Sequence, residues 1–309
     1  MAKDSRTLTL DGHEIEISRA DKVFFPDSGI TKGDVVDYYA RVAETALVHM
    51  RERALSMHRF PDGIEGEGFF QKDAPDYFPD WIRTASLPKE GGKVDYVVAD
   101  SAATLAYIAN QGCITPHLGL FRVDRIDEPD RLIFDLDPSG DDFENIRTAA
   151  KRLRQVMAEL DLPCFLQTTG SRGLHVVVPL DRSAGFDAAR DFARRLARLL
   201  AGRYPDDLTV EQRKDKRGQR VFLDYLRNAY GQTAVAPYAL RAKPGAPVAT
   251  PIEWEELGDS SLGPRSYTLS NVFRRLGAKD DPWAGMHRHA VSLKAAEKRL
   301  QELEAAEKD

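Results

Sequence analysis

The segment RLIFDLD, residues 131–137, carries two carboxylates inside an otherwise apolar strand pattern. Side chains alternate along a strand, so Asp135 and Asp137 project from the same face. Two neighbouring carboxylates repel each other unless a cation lies between them, and oxygen ligands suit Mg²⁺ or Mn²⁺. We therefore predict a divalent metal site at the end of a buried strand. The alternative is that both carboxylates simply point into solvent at a turn.

The same motif has a second interpretation, because a DxD after an apolar strand resembles the first motif of haloacid-dehalogenase-type phosphatases. In that family the second aspartate is usually followed by Gly-Thr, and the motif normally opens the fold near the N-terminus. Here Pro138 and Ser139 follow the motif, and about 130 residues precede it. Both departures count against the phosphatase, which stays as an alternative.

A third acidic candidate lies in VFLDYL, residues 221–226. Strand alternation puts Phe222 and Asp224 on the same face. A lone aspartate in a strand more often accepts a structural hydrogen bond than binds a metal. Asp224 therefore belongs to the metal site only if the fold brings its strand beside Asp135 and Asp137.

Two glycines, Gly170 and Gly173, bound a short turn between two strand patterns. Backbone N–H groups in such a turn approach an anion closely. Side chains with hydrogen-bond donors lie in or beside it, namely Thr169, Ser171, Arg172 and His175. Together they predict a phosphate pocket, with an ordinary hairpin and a buried histidine as the alternative.

The charge distribution adds a basic segment to a chain whose formal net charge is -5. Residues 182–243 contain 14 basic and 7 acidic side chains, so this segment carries +7 and the remainder -12. It includes a charged loop, residues 211–220, which ends at Arg220 just before a predicted strand. It also includes Arg241 and Lys243, which lie two apart in an extended stretch and are predicted to share one face. The segment is either a solvated surface or a contact for a phosphate backbone.

Strand and helix patterns alternate along the chain, without repeats or low-complexity linkers, which predicts an α/β or α+β body. Asp11 and Gly12 close an opening hairpin, and Thr31 caps a helix that runs through Asp34 to about Met50. The other patterns predict helices over 102–110, 143–160 and 186–200, an irregular aromatic stretch over 60–88, and a terminal helix with Leu293, Ala296, Leu300 and Leu303 on one stripe. That last helix either docks on the body or forms a frayed tail.

The absence of targeting signals and the small number of cysteines predict a cytoplasmic protein. No apolar run approaches the ~20 residues needed to cross a bilayer, and the N-terminal residues lack the apolar stretch of a secretory signal. Cys113 and Cys164 have no metal-ligand spacing and suit a reducing compartment. A disulfide framework and a zinc ribbon are therefore not expected.

Four motifs, DLDP, TGSRGLH, LDYLRN and APYALRAKPG, occur in an order and at separations that resemble the polymerase module of bacterial DNA ligase D. That module belongs to the archaeo-eukaryotic primase superfamily, and the resemblance covers about residues 8–285. It implies a primase-like α/β (α+β) fold, with an RNA-recognition-like catalytic core over about 121–270 packed against an N-terminal α/β part over about 1–120. The primase-polymerase domain would then span 1–285, and residues 286–309 would form a C-terminal helical tail.

The resemblance also implies roles for particular residues. Three carboxylates match the metal ligands of the catalytic site, namely Asp135, Asp137 and Asp224. The matches to nucleotide contacts are His117, Thr169, Ser171, Arg172, His175 and Arg241. Lys22 and Lys32 match lysines that recognise a 5′-phosphate at a gap or recessed end. Phe69 and Phe70 match an aromatic pair that stacks on the template strand. The predicted DNA contacts are completed by Arg220 and Lys243.

Two positions depart from the family pattern. Arg19 stands where a small polar partner of the 5′-phosphate is expected, and Lys243 stands where some members carry arginine. Ligase and phosphoesterase motifs do not occur in the 309 residues, so a stand-alone version is expected.

The activity that the resemblance implies is template-directed nucleotidyl transfer with two Mn²⁺ or Mg²⁺ ions and a preference for ribonucleotides. The expected substrates are nucleoside triphosphates and DNA with a gap or recessed end, in repair by non-homologous end joining. Ku and a DNA ligase are the implied partners, and no membrane is involved. A non-catalytic adaptor that binds DNA ends is the remaining alternative.

Overall fold

The computed structural model describes residues 5–140 and 142–307. The chain divides into two compact units. The first unit comprises residues 1–119, 233–250 and 267–279, and the second comprises residues 120–232, 251–266 and 280–309. Both contain helices and sheets, so the predicted mixed fold class is confirmed. In the part of the chain that the structure describes, no helix is long and apolar enough to cross a bilayer.

The elements follow one another along the chain as eighteen strands, six α-helices and three short 3₁₀ turns among the described residues. The strands are β1 (Arg6–Leu10), β2 (His13–Ile17), β3 (Val23–Phe25), β4 (Ile30–Thr31), β5 (Leu55–Arg59), β6 (Phe69–Gln71), β7 (Thr84–Lys89), β8 (Gly92–Val97), β9 (Cys113–Gly119), β10 (Phe121–Arg122), β11 (Arg125–Pro129), β12 (Arg131–Asp137), β13 (Phe165–Thr168), β14 (Leu174–Pro179), β15 (Leu208–Thr209), β16 (Val221–Asp224), β17 (Thr233–Val235) and β18 (Thr250–Ile252). The helices are α1 (Lys32–Met50), α2 (Ala102–Asn110), α3 (Phe143–Glu159), α4 (Phe186–Arg203), α5 (Val272–Ala278) and α6 (Leu293–Ala306).

The first unit contains a four-stranded antiparallel sheet in the order β17-β9-β5-β6, and α1 packs against α2. Asp11 and Gly12 have φ angles of 50° and 79°, which are the left-handed values of a two-residue hairpin turn. The Thr31 hydroxyl accepts a hydrogen bond from the Asp34 N–H at 3.2 Å, and the Asp34 carboxylate accepts one from the Thr31 N–H at 2.8 Å. This reciprocal cap satisfies two backbone donors that the helix leaves open. The predicted hairpin and capped helix are both confirmed.

The aromatic stretch over residues 60–88 is less irregular than predicted. Phe69–Gln71 forms β6, in which Phe70 lies opposite His58 of β5. β7 then begins at Thr84. A strand of three residues is too short to show alternation in the sequence, so the prediction of a continuous loop was wrong here.

The prediction that Arg241 and Lys243 share one face of an extended segment was also wrong. The Lys243 N–H donates to the Arg241 carbonyl at 2.8 Å, which folds a three-residue turn immediately before Pro244. Because the chain reverses here, the two side chains do not follow the alternation of a strand. Proline and the following Gly245, at φ 78°, were the local signals for this turn.

The second unit contains a six-stranded sheet in the order β15-β16-β12-β14-β13-β18. Its central strand β12 pairs antiparallel with β14 and β16, and α3 and α4 pack against it. Leu132, Phe134 and Leu136 are fully buried, and such a side chain contributes about 1.5–3 kcal/mol relative to exposure. Their burial holds β12 in the core and leaves the alternate residues Asp135 and Asp137 to the other face.

The C-terminal helix docks within the second unit. Leu293, Ala296 and Leu300 of α6 are buried, and α6 packs against α4. Arg195 of α4 forms ion pairs with Glu297 and Glu304 of α6. The apolar stripe seen in the sequence is therefore a packing surface rather than a frayed tail.

Candidate metal and nucleotide site

Three carboxylates meet at the centre of the second-unit sheet. The register of β12 and β16 places Asp135 opposite Asp224, and Asp137 follows two residues later on the same face as Asp135. One carboxylate oxygen of each residue lies within 4.8 Å of the other two. Asp224 was expected to join the metal site only if its strand lies beside Asp135 and Asp137, and the pairing of β16 with β12 meets this condition. No local sequence pattern predicts that pairing.

Burial and mutual repulsion disfavour the charged forms of these carboxylates. Burial raises the pKa of Asp137 to about 6, with further contributions from the charges of Asp135 and Asp224. Burial also raises the pKa of Asp224, although the Leu226 N–H donates a hydrogen bond to it at 2.8 Å. The site is therefore short of positive charge and has the oxygen donors that Mg²⁺ and Mn²⁺ prefer.

Two basic side chains flank the carboxylates without replacing a cation. Arg227 Nε lies 3.8 Å from Asp135 Oδ2 and 3.7 Å from Asp224 Oδ2, and His175 Nε2 lies 3.5 Å from Asp135 Oδ1. These separations exceed those of short charge-assisted hydrogen bonds. Arg227 lies within the LDYLRN motif, and no role was predicted for it from the sequence. Its position three residues after Asp224 was the available signal.

The affinity of the protein for Mn²⁺ should fall below pH 6. A folded-state pKa of about 6 for Asp137, above the ordinary 3.8, means that protons stay bound to this carboxyl in mildly acidic solution and compete with the cation. We expect Mn²⁺ affinity, measured by calorimetry at constant ionic strength, to fall about fivefold from pH 6 to pH 5 and to change little above pH 7. Affinity that stays constant down to pH 5 would contradict the role of Asp137 as a ligand.

The same pKa predicts the stability of the protein without metal. Because the folded state binds this proton more tightly than the unfolded chain does, the free energy of unfolding decreases as pH rises from about 4 to above 6. An Asp137→Asn variant has no such proton. The melting temperature of Asp137→Asn should therefore decrease less than that of the wild type as pH rises from about 4 to above 6. This variant is the matched control for the Mn²⁺ titration.

The glycine-bounded turn holds its shape through Thr169. The Thr169 hydroxyl donates to the Gly173 carbonyl at 3.0 Å and accepts from the N–H groups of Ser171 at 3.3 Å and Gly173 at 3.2 Å. The hydroxyl donor that we predicted for an anion is therefore engaged inside the turn. Gly170 has a φ of 62°, a backbone value that suits glycine.

The other predicted nucleotide contacts of the second unit lie near the carboxylates. His175 of β14 lies opposite Asp135 in the sheet. Arg172 and His175 both act to lower the pKa of Asp137, which indicates that both side chains lie near its carboxyl group. Arg265, which belongs to no sequence motif described above, donates from Nε to the Ser171 carbonyl at 2.7 Å and anchors the turn.

Lys22 and Lys32 lie close together in the first unit. Lys22 Nζ donates to the Pro61 carbonyl at 2.8 Å and forms an ion pair with Asp62. Lys32 Nζ donates to the carbonyl of Ser18 at 2.6 Å. Burial lowers the pKa of Lys32 to about 8, with further contributions from the charges of Arg19 and Lys22. Three basic side chains therefore concentrate positive charge at one place, which favours an anion there.

A group of aromatic rings surrounds the predicted template contacts, also in the first unit. Phe69 and Phe70 are 45% and 57% exposed, which is unusual for large apolar side chains. The Phe70 ring stacks on the imidazole of His58, with centroids 4.1 Å apart and planes 8° from parallel. The His117 ring meets Phe70 edge-on at 5.3 Å. Burial and the charge of Arg241 lower the pKa of His58, a residue for which the sequence predicted no role.

The charged loop over residues 211–220 borders an open cleft of about 730 Å³ in the second unit. The cleft is lined by Arg198, Thr209, Val210, Glu211, Gln212, Arg213, Lys216, Arg220 and Tyr225. Arg220 donates from Nε to the Arg217 carbonyl at 2.9 Å and from Nη2 to the Lys216 carbonyl at 2.8 Å. The loop is mostly exposed, as predicted, and internal hydrogen bonds hold its arginines in place.

Each unit thus gathers part of the predicted site. The second unit brings together the three carboxylates, Arg172 and His175. The first unit brings Lys22 near Lys32, and Phe70 near His117. Three carboxylates on the antiparallel strands β12 and β16, beside a glycine-bounded turn, agree with a nucleotidyltransferase of the archaeo-eukaryotic primase type.

Comparison with known proteins identifies the family. A family model described as "LigD, primase-polymerase domain" matches residues 31–283. The chain belongs to this family of LigD primase-polymerase domains. The resemblance inferred from the four motifs is therefore confirmed, and the phosphatase alternative has no support.

Particular relatives support the assignment. The chain is 35% identical over 278 residues to the multifunctional non-homologous end joining DNA repair protein LigD of Mycobacterium tuberculosis, covering 86% of this chain and 36% of that protein. It is 29% identical over 278 residues to the bifunctional non-homologous end joining protein LigD of Bacillus subtilis, covering 89% of this chain and 44% of that protein. The chain therefore spans less than half the length of these relatives.

A solved structure is similar over almost its full length. The polymerase domain of Mycobacterium tuberculosis ligase D in complex with DNA matches with a TM-score of 0.84 at 33% sequence identity. The match covers 89% of this chain and 99% of that chain. The family depends on divalent metal, in agreement with the buried carboxylates.

Proposed function

We propose that this chain is a template-directed polymerase that fills gaps and extends ends in DNA repair by non-homologous end joining. The observation that carries the proposal is the meeting of Asp135, Asp137 and Asp224 on adjacent strands of one sheet. The names of the relatives support the repair pathway. A DNA ligase and a Ku-like end binder are the partners that such a role implies, in the bacterial cytoplasm and on the nucleoid when DNA is bound.

The reaction that fits this site joins a primer 3′-hydroxyl to the α-phosphate of an incoming nucleotide. The new bond forms between that oxygen and phosphorus, the hydroxyl proton leaves to solvent, and the bond to pyrophosphate breaks. Asp135, Asp137 and Asp224 would hold two divalent cations, which would supply electrostatic stabilisation of the attacking and leaving oxygens.

The other residues of the site orient the nucleotide and neutralise its charge. Arg172 and His175 lie beside the carboxylates and would bind the triphosphate, while backbone N–H groups of the turn add further donors. Arg241 and His117 of the first unit are proposed as additional nucleotide contacts. Catalysis of this kind depends on positioning and electrostatics, so no side-chain nucleophile is required.

The DNA contacts are proposed from charge and exposed aromatic surface. Phe69 and Phe70 offer a stacking surface, which tolerates any base because every base has a π-face. Arg220 and Lys243 add positive charge for a phosphate backbone. Lys22 and Lys32 would bind a terminal 5′-phosphate, with Arg19 close enough to strengthen the attraction.

Replacing both Lys22 and Lys32 by alanine should weaken binding to gapped DNA that carries a 5′-phosphate. Each substitution would remove a charged contact to the 5′-phosphate. We therefore expect the affinity for this DNA, measured by fluorescence anisotropy, to fall at least about tenfold. Affinity for the same gap without the phosphate should change less than about twofold, because the lysines are proposed to read that phosphate alone.

A charge-matched control replaces Lys294 and Lys298 of α6 by alanine and should leave both affinities unchanged. The wild-type preference for the phosphorylated gap should also shrink as pH rises through about 8, where Lys32 loses its proton. Equal losses on the two gaps would show that the lysines serve general DNA binding rather than 5′-phosphate recognition.

The proposed function is tested by incorporation into a gapped, 5′-phosphorylated duplex with Mn²⁺ or Mg²⁺. Ribonucleotides and deoxyribonucleotides are supplied separately, and products are scored by length. We expect template-dependent addition with ribonucleotides favoured. Binding to the gap without incorporation in either metal would instead select the non-catalytic adaptor.

A further inference from the structure

Gln167 lies in a row of four polar side chains that crosses the second-unit sheet and includes two carboxylates of the metal site. The strand registers place Asp224 opposite Asp135, Asp135 opposite His175, and His175 opposite Gln167 of β13. Residues opposite one another on adjacent strands project from the same face. Gln167 therefore lies on the carboxylate face, two strands beyond β12, at roughly 10 Å from Asp135 along the row.

The amide of Gln167 is buried without a hydrogen-bond partner. The residue is 1% exposed, and neither its Nε2 nor its Oε1 has a partner among the described residues. Asn228, equally buried in the same unit, shows the usual arrangement. It accepts from the Ile133 N–H at 2.8 Å and donates to the carbonyls of Ile133 at 2.7 Å and Tyr225 at 2.9 Å.

An unpaired buried amide is destabilising, because the group loses water without gaining a protein partner. Buried polar side chains are nearly always satisfied, and the exceptions concentrate where a ligand or an ordered water completes the site. Gln167 lies next to His175, which is itself next to the metal-site carboxylates. A ligand that occupies the carboxylate face is therefore the natural partner of this amide.

We propose that Gln167 binds a sugar hydroxyl of the incoming nucleotide, an inference that rests on the proposed polymerase function. An amide offers one acceptor and a pair of donors, and a hydroxyl can both donate and accept. A phosphate oxygen only accepts at neutral pH and would leave Oε1 facing an anion. The bases present different donor and acceptor patterns, so a fixed amide suits the part of the nucleotide that does not vary with the template.

The position of Gln167 in the row agrees with this assignment. The α-phosphate would lie at the carboxylates, and the sugar is the group attached directly to it. His175 lies between Gln167 and Asp135 in the row. The Gln167 amide is therefore one strand spacing, roughly 5 Å, farther from the metal site than His175 is. Gln167 is then a specificity residue that contacts substrate away from the reacting atoms.

The test uses Gln167→Met, which keeps the length of the side chain, and Gln167→Leu as a second apolar variant. Binding of ATP, 2′-deoxy-ATP, 3′-deoxy-ATP and 2′,3′-dideoxy-ATP is measured with Mn²⁺ for each protein. In the wild type, loss of one particular hydroxyl should weaken binding about tenfold, which is the effect of one hydrogen bond in a desolvated site. In both variants that difference should disappear, while the dideoxy nucleotide and inorganic tripolyphosphate bind as they do to the wild type.

Thermal unfolding without nucleotide or metal provides a second measurement. Removing an unpaired buried amide should leave the melting temperature unchanged or raise it by about 2–4 °C. Asn228→Leu is the matched control and should lower the melting temperature, because it removes an amide whose hydrogen bonds are all made. A variant that is more stable yet less selective for sugar hydroxyls is the pattern that a substrate contact predicts.

Other outcomes overturn the proposal. Unchanged discrimination in the variants would mean that the amide is satisfied by water alone, and equal weakening for all four nucleotides and tripolyphosphate would indicate a general structural role. Incorporation by the wild-type protein is scored in parallel. If the wild type incorporates nucleotides and the variants discriminate as it does, only the role of Gln167 is refuted. If the wild type neither binds nor incorporates nucleotides, the polymerase function is refuted as well.

Discussion

An Asp137→Ala variant is expected to bind gapped DNA as the wild type does and to incorporate no detectable nucleotide. Asp137 contributes one of the three oxygens that lie within 4.8 Å of one another, and removing it would deprive the proposed cations of one of their three carboxylate ligands. Loss of about 4 kcal/mol of electrostatic stabilisation lowers the rate roughly a thousandfold. Single-nucleotide incorporation with Mn²⁺, measured at saturating DNA, reports this loss.

The free protein should respond in the opposite direction. Because Asp137 is ionised at pH 8 despite a folded pKa of about 6, its removal relieves repulsion and should stabilise the metal-free fold by about 1–3 kcal/mol. Asp206→Ala removes an exposed carboxylate of the same unit and should change neither measurement. Normal extension by Asp137→Ala would rule out the metal assignment, whatever the melting temperature shows.

A Gly173→Ala variant is expected to lose both stability and activity. A Cβ at this position would lie 2.0 Å from the carbonyl oxygen of Leu136, which is the backbone of β12 between the two aspartates. Neither backbone segment can move away without breaking the pairing of β12 and β14. We expect the free energy of unfolding to fall by more than about 3 kcal/mol, measured by denaturant titration.

Gly202 provides the matched control for this substitution. It lies in α4, and a Cβ there would meet no atom within 4 Å. Gly202→Ala should therefore change stability by less than about 1 kcal/mol, and helix propensity makes a small gain the expected direction. A Gly173→Ala protein that is as stable as Gly202→Ala would show that the turn can shift away from β12, and the proposed phosphate pocket would then lack a fixed backbone.

Elements with strong local signals could be predicted closely from the sequence. The Asp11-Gly12 hairpin and the helix that starts after Thr31 depend on turn and capping chemistry within a few residues. Apart from its two aspartates, β12 is apolar from Leu132 to Leu136, so its burial could be predicted from this pattern. β16 ends at Asp224 rather than at Leu226, because the Asp224 carboxylate accepts the Leu226 N–H and turns the chain there.

Features that depend on contacts between distant segments could not be predicted in the same way. The three residues of β6 acquire strand geometry only by pairing with β5. Lys22 and Lys32 were identified through a family resemblance, but the lowered pKa of Lys32 comes from burial and from Arg19 and Lys22 around it. Arg227 and Gln167 carry no motif, and their relevance follows from where the sheet puts them.

The residue types of the candidate site could be identified from the sequence, because two carboxylates two residues apart in an apolar strand require either a bound cation or contact with solvent. Their convergence was not, because Asp224 approaches Asp135 only through the antiparallel register of β12 with β16. Strand order in a sheet is set by long-range packing and loop closure rather than by any short stretch of residues. For the same reason an isolated glutamine such as Gln167 gains chemical meaning only when three neighbouring strands align it with a histidine and two aspartates.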